Sequence, residues 1–321
     1  MVACTRRIAA VSLGIQATSL HTERADHAAS CTPSPHALRF HIEPLTPMAR
    51  ARPIVFVTDF GLGNEWVGLC HAVMSGISPE SPIVDLSHLI RPLEVTSGAL
   101  LLADSMPYIP EDAVILAVVE PNVGKDREIA VESVSGRCLV GPDNGLLSLA
   151  WQAAGGIRAA VEITSPDVLR SIHAESFRAP DTFCPATAHL AAGTSIEQLG
   201  DQLDPSTLAV VTLAEPEVEP GKISCEVIDF NRFGNVQLNV RAADLAAAGL
   251  DGAATLSVEA VSGAVEAARG STYADFAAGE YGVLFDPRGW LTIVRGNPAS
   301  ALDGLGLSLA APVWLSRTNG G

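Results

Sequence analysis

Short apolar runs alternate with segments of helical periodicity along the first half of the chain. Residues 54–57, 82–86 and 113–119 are apolar enough for buried strands. Between them, residues 65–77 carry apolar side chains at helical spacing, and residues 95–106 are apolar all round, as in a buried helix. Strands that alternate with helices in this way predict a mainly parallel sheet with helices on both faces.

The alternation continues to about residue 207. A hairpin is predicted from residues 128–134 and 138–140, and helices are predicted over 145–154 and 185–192, with another beginning at 195. The first 207 residues therefore contain an α/β domain.

The pattern changes near residue 208. An acidic, proline-containing connector spans residues 214–221, and the apolar segments after it are short and separated by turn residues. The predicted strands are 223–228, 236–240, 254–258, 283–285, 291–294 and 313–315. We predict an α/β domain over residues 48–207, a linker over 208–221, and a smaller all-β barrel or sandwich over 222–321.

Residues 1–47 differ from the rest. They contain four of the eight histidines and little periodicity. Arg6 and Arg7 before an apolar stretch faintly resemble a secretory signal, but the stretch is short and Ser12 interrupts it. Met48 immediately precedes the first strand pattern. We expect residues 1–47 to be a disordered or non-native extension, with Met48 as the biological start.

Charge and cysteine content narrow the functional classes. The formal charge is −16, with 36 acidic and 20 basic residues, which argues against nucleic acid or an anionic membrane as the main partner. No apolar run approaches the roughly 20 residues of a membrane span. The six cysteines form no CxxC pair and no zinc-like spacing, so we expect reduced, mostly buried thiols in a cytoplasmic protein without a metal site.

Acidic residues follow two of the predicted strands. Asp59 comes after the first strand, just before Gly61, and Glu120 follows the third. Ligands of open α/β sheets bind at the carboxyl ends of strands, where a carboxylate can accept bonds from both hydroxyls of a ribose. The alternative for Asp59 is a cap on the next segment. Glu120 is followed seven residues later by Arg127, and the alternative there is a surface ion pair.

Two later motifs carry further candidate chemistry. Phe177 begins a segment that leads into a helix containing His189, which we interpret as a core or interface histidine rather than a catalyst. Residues 231–236 join two predicted strands. This stretch could be an ordinary hairpin turn, but Phe233 between two asparagines also suits a flat heteroaromatic ligand.

Taken in order, these motifs resemble the S-adenosylmethionine (SAM) hydroxide adenosyltransferases, or adenosine-forming SAM hydrolases, whose relatives are the fluorinase and chlorinase enzymes. The resemblance runs from about Pro53 to Trp314 and rests on residues 58–61, 119–127, 141–147, 177–193, 232–235, 272–275 and 289–299. It implies the two domains predicted above and a homotrimer with active sites at subunit interfaces. It also implies SAM as substrate, attack by water or hydroxide at ribose C5′, and no cofactor or metal.

The resemblance also implies substrate-binding residues. Asp59 corresponds to the residue that binds the ribose hydroxyls, and Asn235 and Tyr273 match adenine-contacting positions. Phe177 and Phe233 adjoin matched positions and are counted with the binding residues.

Two more positions concern the methionine part of SAM. Arg288 matches an arginine that holds the methionine carboxylate in the halogenase relatives. Asn231 stands where the hydrolases usually have an aspartate for the methionine amino group, and Asp229, two residues away, is a candidate replacement.

The water site departs from the family pattern. An Asp–Arg–His triad in the hydrolases corresponds here to Glu120, Arg127 and Arg178. A guanidinium is permanently charged and cannot act as a base. Two interpretations stay open: the arginines lower the pKa of a water whose proton goes to Glu120, or they pair with Glu120 and fill the site.

Two other functions are weighed against hydrolysis. A halogenase is disfavoured because Ala179 and Val123 replace a serine and a threonine of the fluorinase, and because an insertion of that enzyme is absent. A protein that binds SAM or adenosine without turnover is the alternative from a different class.

Overall fold

The structure is a computed structural model that describes residues 51–170 and 177–318. Residues 49–321 belong to one compact unit. The predicted extension over residues 1–47 lies outside the described residues.

Fifteen strands and six α-helices follow one another along the described chain. The helices are α1 Trp66–Ile77, α2 Val95–Ser105, α3 Ser148–Ala153, α4 Phe183–Ala191, α5 Ala242–Ala247 and α6 Ala301–Leu305. The strands of the first sheet are β1 Ile54–Thr58, β2 Ile83–Ser87, β3 Val114–Val118, β4 Glu128–Ser133, β5 Cys138–Pro142, β6 Ile157–Ile163 and β7 Gly200–Gln202. Those of the second are β8 Glu217–Glu219, β9 Lys222–Phe230, β10 Val236–Leu238, β11 Thr255–Ala260, β12 Gly263–Arg269, β13 Tyr281–Phe285, β14 Leu291–Arg295 and β15 Pro312–Arg317.

The first sheet has the order β2-β1-β3-β5-β4-β6-β7. Strands β2, β1, β3 and β5 are parallel, as predicted, whereas β4, β6 and β7 join by antiparallel pairs. The sheet is therefore mixed. The reason is the predicted hairpin of β4 and β5, because a short connection can join only antiparallel strands.

Helices cover both faces of this sheet, as predicted. Alternate side chains of β1 enter opposite cores: Ile54 and Phe56 pack with α1 and α4, while Val55 and Val57 pack on the side of α2 and α3. The expected α/β fold class is confirmed.

The second sheet closes into a barrel of seven strands. β9 pairs with β15 along its first half and with β10 along its second half, which completes the ring β10-β14-β13-β12-β11-β15-β9, and β8 adds to β9 outside it. Closure leaves the ring without unpaired edges. The expected all-β part is thus a barrel rather than a sandwich.

The barrel packs against α2. Leu100 of that helix lies in one apolar cluster with Ile228 and Trp290 of the barrel. Beside it, Arg91 donates to Asp229 Oδ1 at 2.6 Å and to the carbonyl oxygen of Phe230 at 3.1 Å. These contacts attach the β9–β10 turn to the segment before α2.

Two further properties of the described residues concern helix length and cysteines. Within the two described ranges, no helix is both long and apolar enough to cross a membrane. The described cysteines are all free and buried, as predicted: Cys70, Cys138, Cys184 and Cys225.

Candidate active site at the strand ends and the barrel cleft

Asp59 leaves the carboxyl end of β1 beside the end of β3. Thr58 is level with Val118 in the parallel pair, so Asp59 and Glu120 emerge at the same edge of the sheet. Asp59 does not cap α1. Its Oδ2 accepts a hydrogen bond of 2.9 Å from the N–H of Leu93, across the sheet edge.

The turn after Asp59 requires a glycine. Gly61 has φ of +72°, which L side chains rarely adopt, and its N–H donates to the carbonyl oxygen of His88 at 2.8 Å. The Asp59 turn is therefore held by the loop that follows β2.

Glu120 lies half-buried in an acidic surrounding. Burial raises the pKa of its carboxyl group, and the negative charges of Asp126 and Asp59 add to the shift. The N–H of Gly124, 3.2 Å from Oε1, and the positive charge of Arg178 oppose it without cancelling it. A glutamate with a raised pKa is a better proton acceptor near neutral pH than an ordinary one.

Arg178 pairs with a residue that the sequence did not single out. Its Nε lies 2.8 Å from Oε1 of Glu128, and its Nη2 lies 2.9 Å from Oε2. Only 12% of the Glu128 side chain is exposed, so the pair is largely withdrawn from water. Of the two open interpretations, direct pairing with Glu120 does not hold for Arg178, although its positive charge still lowers the pKa of Glu120.

Arg127 binds Asp143 and does not form the ion pair with Glu120 that the sequence left open as an alternative. Its Nε donates to Asp143 Oδ2 at 2.9 Å, and its Nη2 donates to the carbonyl oxygen of Thr207 at 3.1 Å. Asp143 in turn accepts from the N–H of Ala209 at 2.8 Å. Arg127 therefore joins the turn after β5 to the segment beyond β7, and the structure does not pair it with Glu120.

Phe177 forms an aromatic wall with two residues near Asp59. Its ring centroid lies 5.3 Å from that of Phe60 and 5.4 Å from that of Trp66. Phe60 directly follows Asp59, and Arg178 directly follows Phe177. The strand-end cluster, as we call Asp59, Glu120, Glu128, Phe177 and Arg178, thus has an apolar side.

The predicted adenine residues come together on the barrel. A cleft of about 280 Å³ is lined by Asn231, Phe233, Asn235 and Tyr273, among others. The side chains of Phe233 and Tyr273 are exposed, at 64% and 54%, and offer two aromatic faces to a flat ligand. We call this the barrel cleft.

Asn231 holds the turn between β9 and β10. Its Oδ1 accepts from the N–H groups of Phe233 at 3.0 Å and Asn235 at 3.2 Å. Gly234 has φ of +76°, and Ser300 packs where a side chain would begin, so only glycine fits. The oxygen of Asn231 is therefore used within the turn, and its candidate replacement Asp229 already accepts from Arg91.

Arg288 lies in an adjoining cleft of about 330 Å³ that shares Asn231, Asn235 and Tyr273 with the barrel cleft. Its Nη1 is 3.2 Å from Asp104 Oδ2, and its Nε is 3.1 Å from Asp286 Oδ2. Burial raises the pKa of Asp104 to about 6, although Arg288 opposes the shift. A ligand carboxylate at Arg288 would compete with these two aspartates.

The two groups of predicted residues remain separate in the single chain. Of the described residues that line the two clefts, none belongs to the strand-end cluster. The loop before α2 connects them, since Leu93 binds Asp59 and Arg91 binds Asp229. A third group, His71, Asp85 and His88, could hold a metal ion and lies beside the Asp59 turn.

Comparisons with known proteins identify the family of the chain. Residues 54–200 match the model of the SAM hydroxide adenosyltransferase N-terminal domain, and residues 225–313 match that of the C-terminal domain. A protein of Salinispora tropica named (R)-S-adenosyl-L-methionine hydrolase is 38% identical over 261 residues, which cover 80% of this chain and 96% of that protein.

Two further relatives extend the comparison. A fluorinase of Actinopolyspora mzabensis is 28% identical over 300 residues, covering 84% of this chain and 98% of that enzyme. The crystal structure of an uncharacterised conserved protein from Thermotoga maritima superposes with a TM-score of 0.75 at 28% identity, covering 82% of this chain and all of that one. With both domain models matched in order, the chain belongs to the SAM hydroxide adenosyltransferase family.

Proposed function

We propose that this protein hydrolyses SAM at ribose C5′ to give adenosine and L-methionine. The observation that carries the proposal is that Asp59 and Glu120 follow neighbouring strands at the same edge of the first sheet, in a chain of this family. The relative named as a SAM hydrolase spans almost the same length and supports the same activity.

The reaction needs few protein groups. The oxygen of water bonds to C5′ while the C5′–S bond breaks, and the electron pair of that bond turns the sulfonium into a neutral thioether. The water proton goes to a carboxylate and then to solvent. Because the leaving group is neutral, the proposal includes no metal, cofactor or general acid.

Glu120 is the proposed acceptor of the water proton, and an N–H of Arg178 is proposed to hold the water. The raised pKa of Glu120 supports the first role. Glu128 forms an ion pair with Arg178 and offsets its positive charge. The proposed water therefore experiences less positive charge than it would beside an unpaired guanidinium. The aromatic wall of Phe60, Trp66 and Phe177 limits access of bulk water, which favours attack on a cation.

The substrate would span the two groups of residues. Asp59 is proposed to accept from the ribose hydroxyls, while Asn235, Phe233 and Tyr273 hold the adenine. Arg288 is proposed to bind the methionine carboxylate in competition with Asp104. A protonated Asp104, which its pKa of about 6 permits below neutral pH, would free Arg288 for this role.

We further propose a homotrimer in which each active site combines the strand-end cluster of one subunit with the barrel cleft of another. The separation of the two groups in one chain supports this. Apolar side chains also stay exposed around β2 and α1: Leu62, Trp66, Leu69, Val84, Leu86 and Leu89. An apolar edge strand of this kind is normally covered by a partner. Free buried thiols support a cytoplasmic location.

The direct test is incubation with SAM, with and without chloride. We expect adenosine and methionine in both cases. A second measurement is calorimetry of Asp59→Asn, which should not bind SAM because the ribose loses a charged acceptor. The matched control is Asp112→Asn, an exposed aspartate before the opposite end of β3. Formation of 5′-chloroadenosine, or binding without any product, would refute hydrolysis.

The role of Glu120 predicts a pH dependence. Glu120 must be ionised to accept a proton, so kcat/KM should fall as the pH drops through its raised pKa, which lies above the ordinary value of 4.5. Glu120→Gln should lose about 100- to 10,000-fold in rate, and its residual activity should lack this acid limb. An unchanged acid limb in the variant would assign the proton acceptor to another group.

The Glu128–Arg178 pair predicts coupled substitutions. Arg178→His alone should destabilise the fold by about 1–3 kcal/mol, because Glu128 keeps a largely buried charge without its partner. Arg178→His with Glu128→Gln should recover that loss. This double variant should also release adenosine faster than the wild type in single-turnover experiments, because an imidazole can exchange a proton with the water.

The control for this pair is Arg158→His. Arg158 pairs with Glu132 on the same sheet, but 62% of its side chain is exposed, so its loss should destabilise the fold less than the loss of Arg178 does. If the wild type were already as fast as the double variant, the Glu128–Arg178 pair would be a working part of the site.

The shared active site can be tested by complementation. Asp59→Asn and Asn235→Ala should each be inactive alone. Co-expressed, they should regain roughly a quarter of the sites, because a head-to-tail trimer then joins an intact strand-end cluster to an intact barrel cleft at some interfaces. Sites built within one chain would give no recovery, and sedimentation would show the oligomer directly.

A further inference from the structure

Three metal-ligating side chains converge beside α1. Nε2 of His71 lies 2.8 Å from Oδ1 of Asp85, and Nε2 of His88 lies 3.1 Å from the same oxygen. The three ligand atoms all lie within 4.8 Å of one another. They come from three places in the fold: His71 from α1, Asp85 from β2, and His88 from the loop after β2.

These separations are close to those of a coordinated ion. Zinc binds imidazole nitrogen and carboxylate oxygen at about 2.0–2.2 Å, which places tetrahedral ligands roughly 3.3–3.5 Å apart. The separations of 2.8 and 3.1 Å would have to widen by about 0.2–0.7 Å. The half-exposed His71 and Asp85 side chains, at 34% and 43%, can make that adjustment.

His88 points to a ligand independently of the cluster. Only 2% of its side chain is exposed, and its Nε2 has no hydrogen-bond partner among the described residues. A buried polar nitrogen without a partner is costly. Its contact with Asp85 has the distance of an ion pair, and this nitrogen faces the cluster without a well-formed hydrogen bond.

The other nitrogen of His88 holds the ring in an orientation that suits metal binding by Nε2. Nδ1 lies 2.8 Å from Oγ1 of Thr58. That oxygen accepts from the N–H of Phe60 and can accept a second hydrogen bond. When Nδ1–H donates to Thr58, Nε2 carries the lone pair and faces the cluster, which is the tautomer that metal-binding histidines adopt. Phe56 packs against both imidazoles and supplies an apolar floor.

We propose that His71, Asp85 and His88 form a site for a divalent transition-metal ion, with zinc as the expected occupant. Two imidazoles and one carboxylate suit zinc or cobalt better than magnesium or calcium, which prefer oxygen ligands. His71 and Asp85 are partly exposed, so water could supply a fourth ligand. This site is separate from the proposed hydrolysis, which uses Glu120 and no metal.

The expected effect is on stability. The ion would join α1 to the edge strand β2 and to the His88 loop, whose carbonyl oxygen holds Gly61 of the Asp59 turn. Since these ligands are assembled only in the folded chain, bound metal stabilises the fold.

The test is titration of the tag-free full chain with Co²⁺, followed by visible absorption, and then displacement by Zn²⁺. Wild type should bind one equivalent more than His71→Ala or Asp85→Asn, with ligand-field bands of a nitrogen- and oxygen-ligated ion. The four histidines of residues 1–47 are present in every variant, so their contribution cancels in the difference. Zn²⁺ should raise the Tm of the wild type but not of these two variants.

Two more variants sharpen the result. Thr58→Val removes the acceptor for Nδ1–H without changing the shape, and should weaken metal affinity by about 10- to 100-fold. His189→Ala, on α4 and outside the cluster, should bind like the wild type. Equal Co²⁺ binding by wild type and His71→Ala, or an equal loss in His189→Ala, would overturn the site. Neither outcome depends on whether SAM is hydrolysed.

Discussion

The register of β1 against β3 is the constraint on which the candidate site depends. Thr58 is level with Val118, so the two strands end together and deliver Asp59 and Glu120 to one edge. A slip of one residue would exchange the faces of β1 and carry Asp59 away. Such a slip is strongly opposed, because residues 54–57 are almost completely buried and fill two different cores. Burial then raises the pKa of Glu120, and the nearby negative charge of Asp59 adds to the shift.

Features that depend on local sequence could be predicted from it. The strands β1 and β3 determine the positions of Asp59 and Glu120, which follow them. A turn of five residues determines the positions of Phe233 and Asn235. The partners of the arginines depend on tertiary structure. Glu128 meets Arg178 across 50 positions of chain. Arg127 meets Asp143 because Glu128 is level with Pro142 in the hairpin of β4 and β5, and the register of that predicted hairpin was the signal that could have identified the pair.

The cluster of His71, Asp85 and His88 was not predicted, because it too depends on tertiary structure. His71 lies on a helix, while Asp85 and His88 lie 14 and 17 residues later on and after the edge strand. Their spacing matches no short motif, and only the packing of α1 on β2 brings them together. Strands β6 and β12 were missed because alanine and charged residues interrupt their apolar pattern. Pairing with neighbouring strands, rather than intrinsic preference, keeps them extended.

The loop before α2 makes two attachments, one through Leu93 and one through Arg91. Its Leu93 N–H fixes the carboxylate that ends β1, while its Arg91 fixes Asp229 and Phe230 at the root of the β9–β10 turn. A substitution that moves the backbone of this loop would act on both attachments, so its kinetic effect could not be divided between the proposed ribose and adenine sites. For sequence change over time, the loop is a pleiotropic segment, because it is attached both to the end of β1 and to the β9–β10 turn.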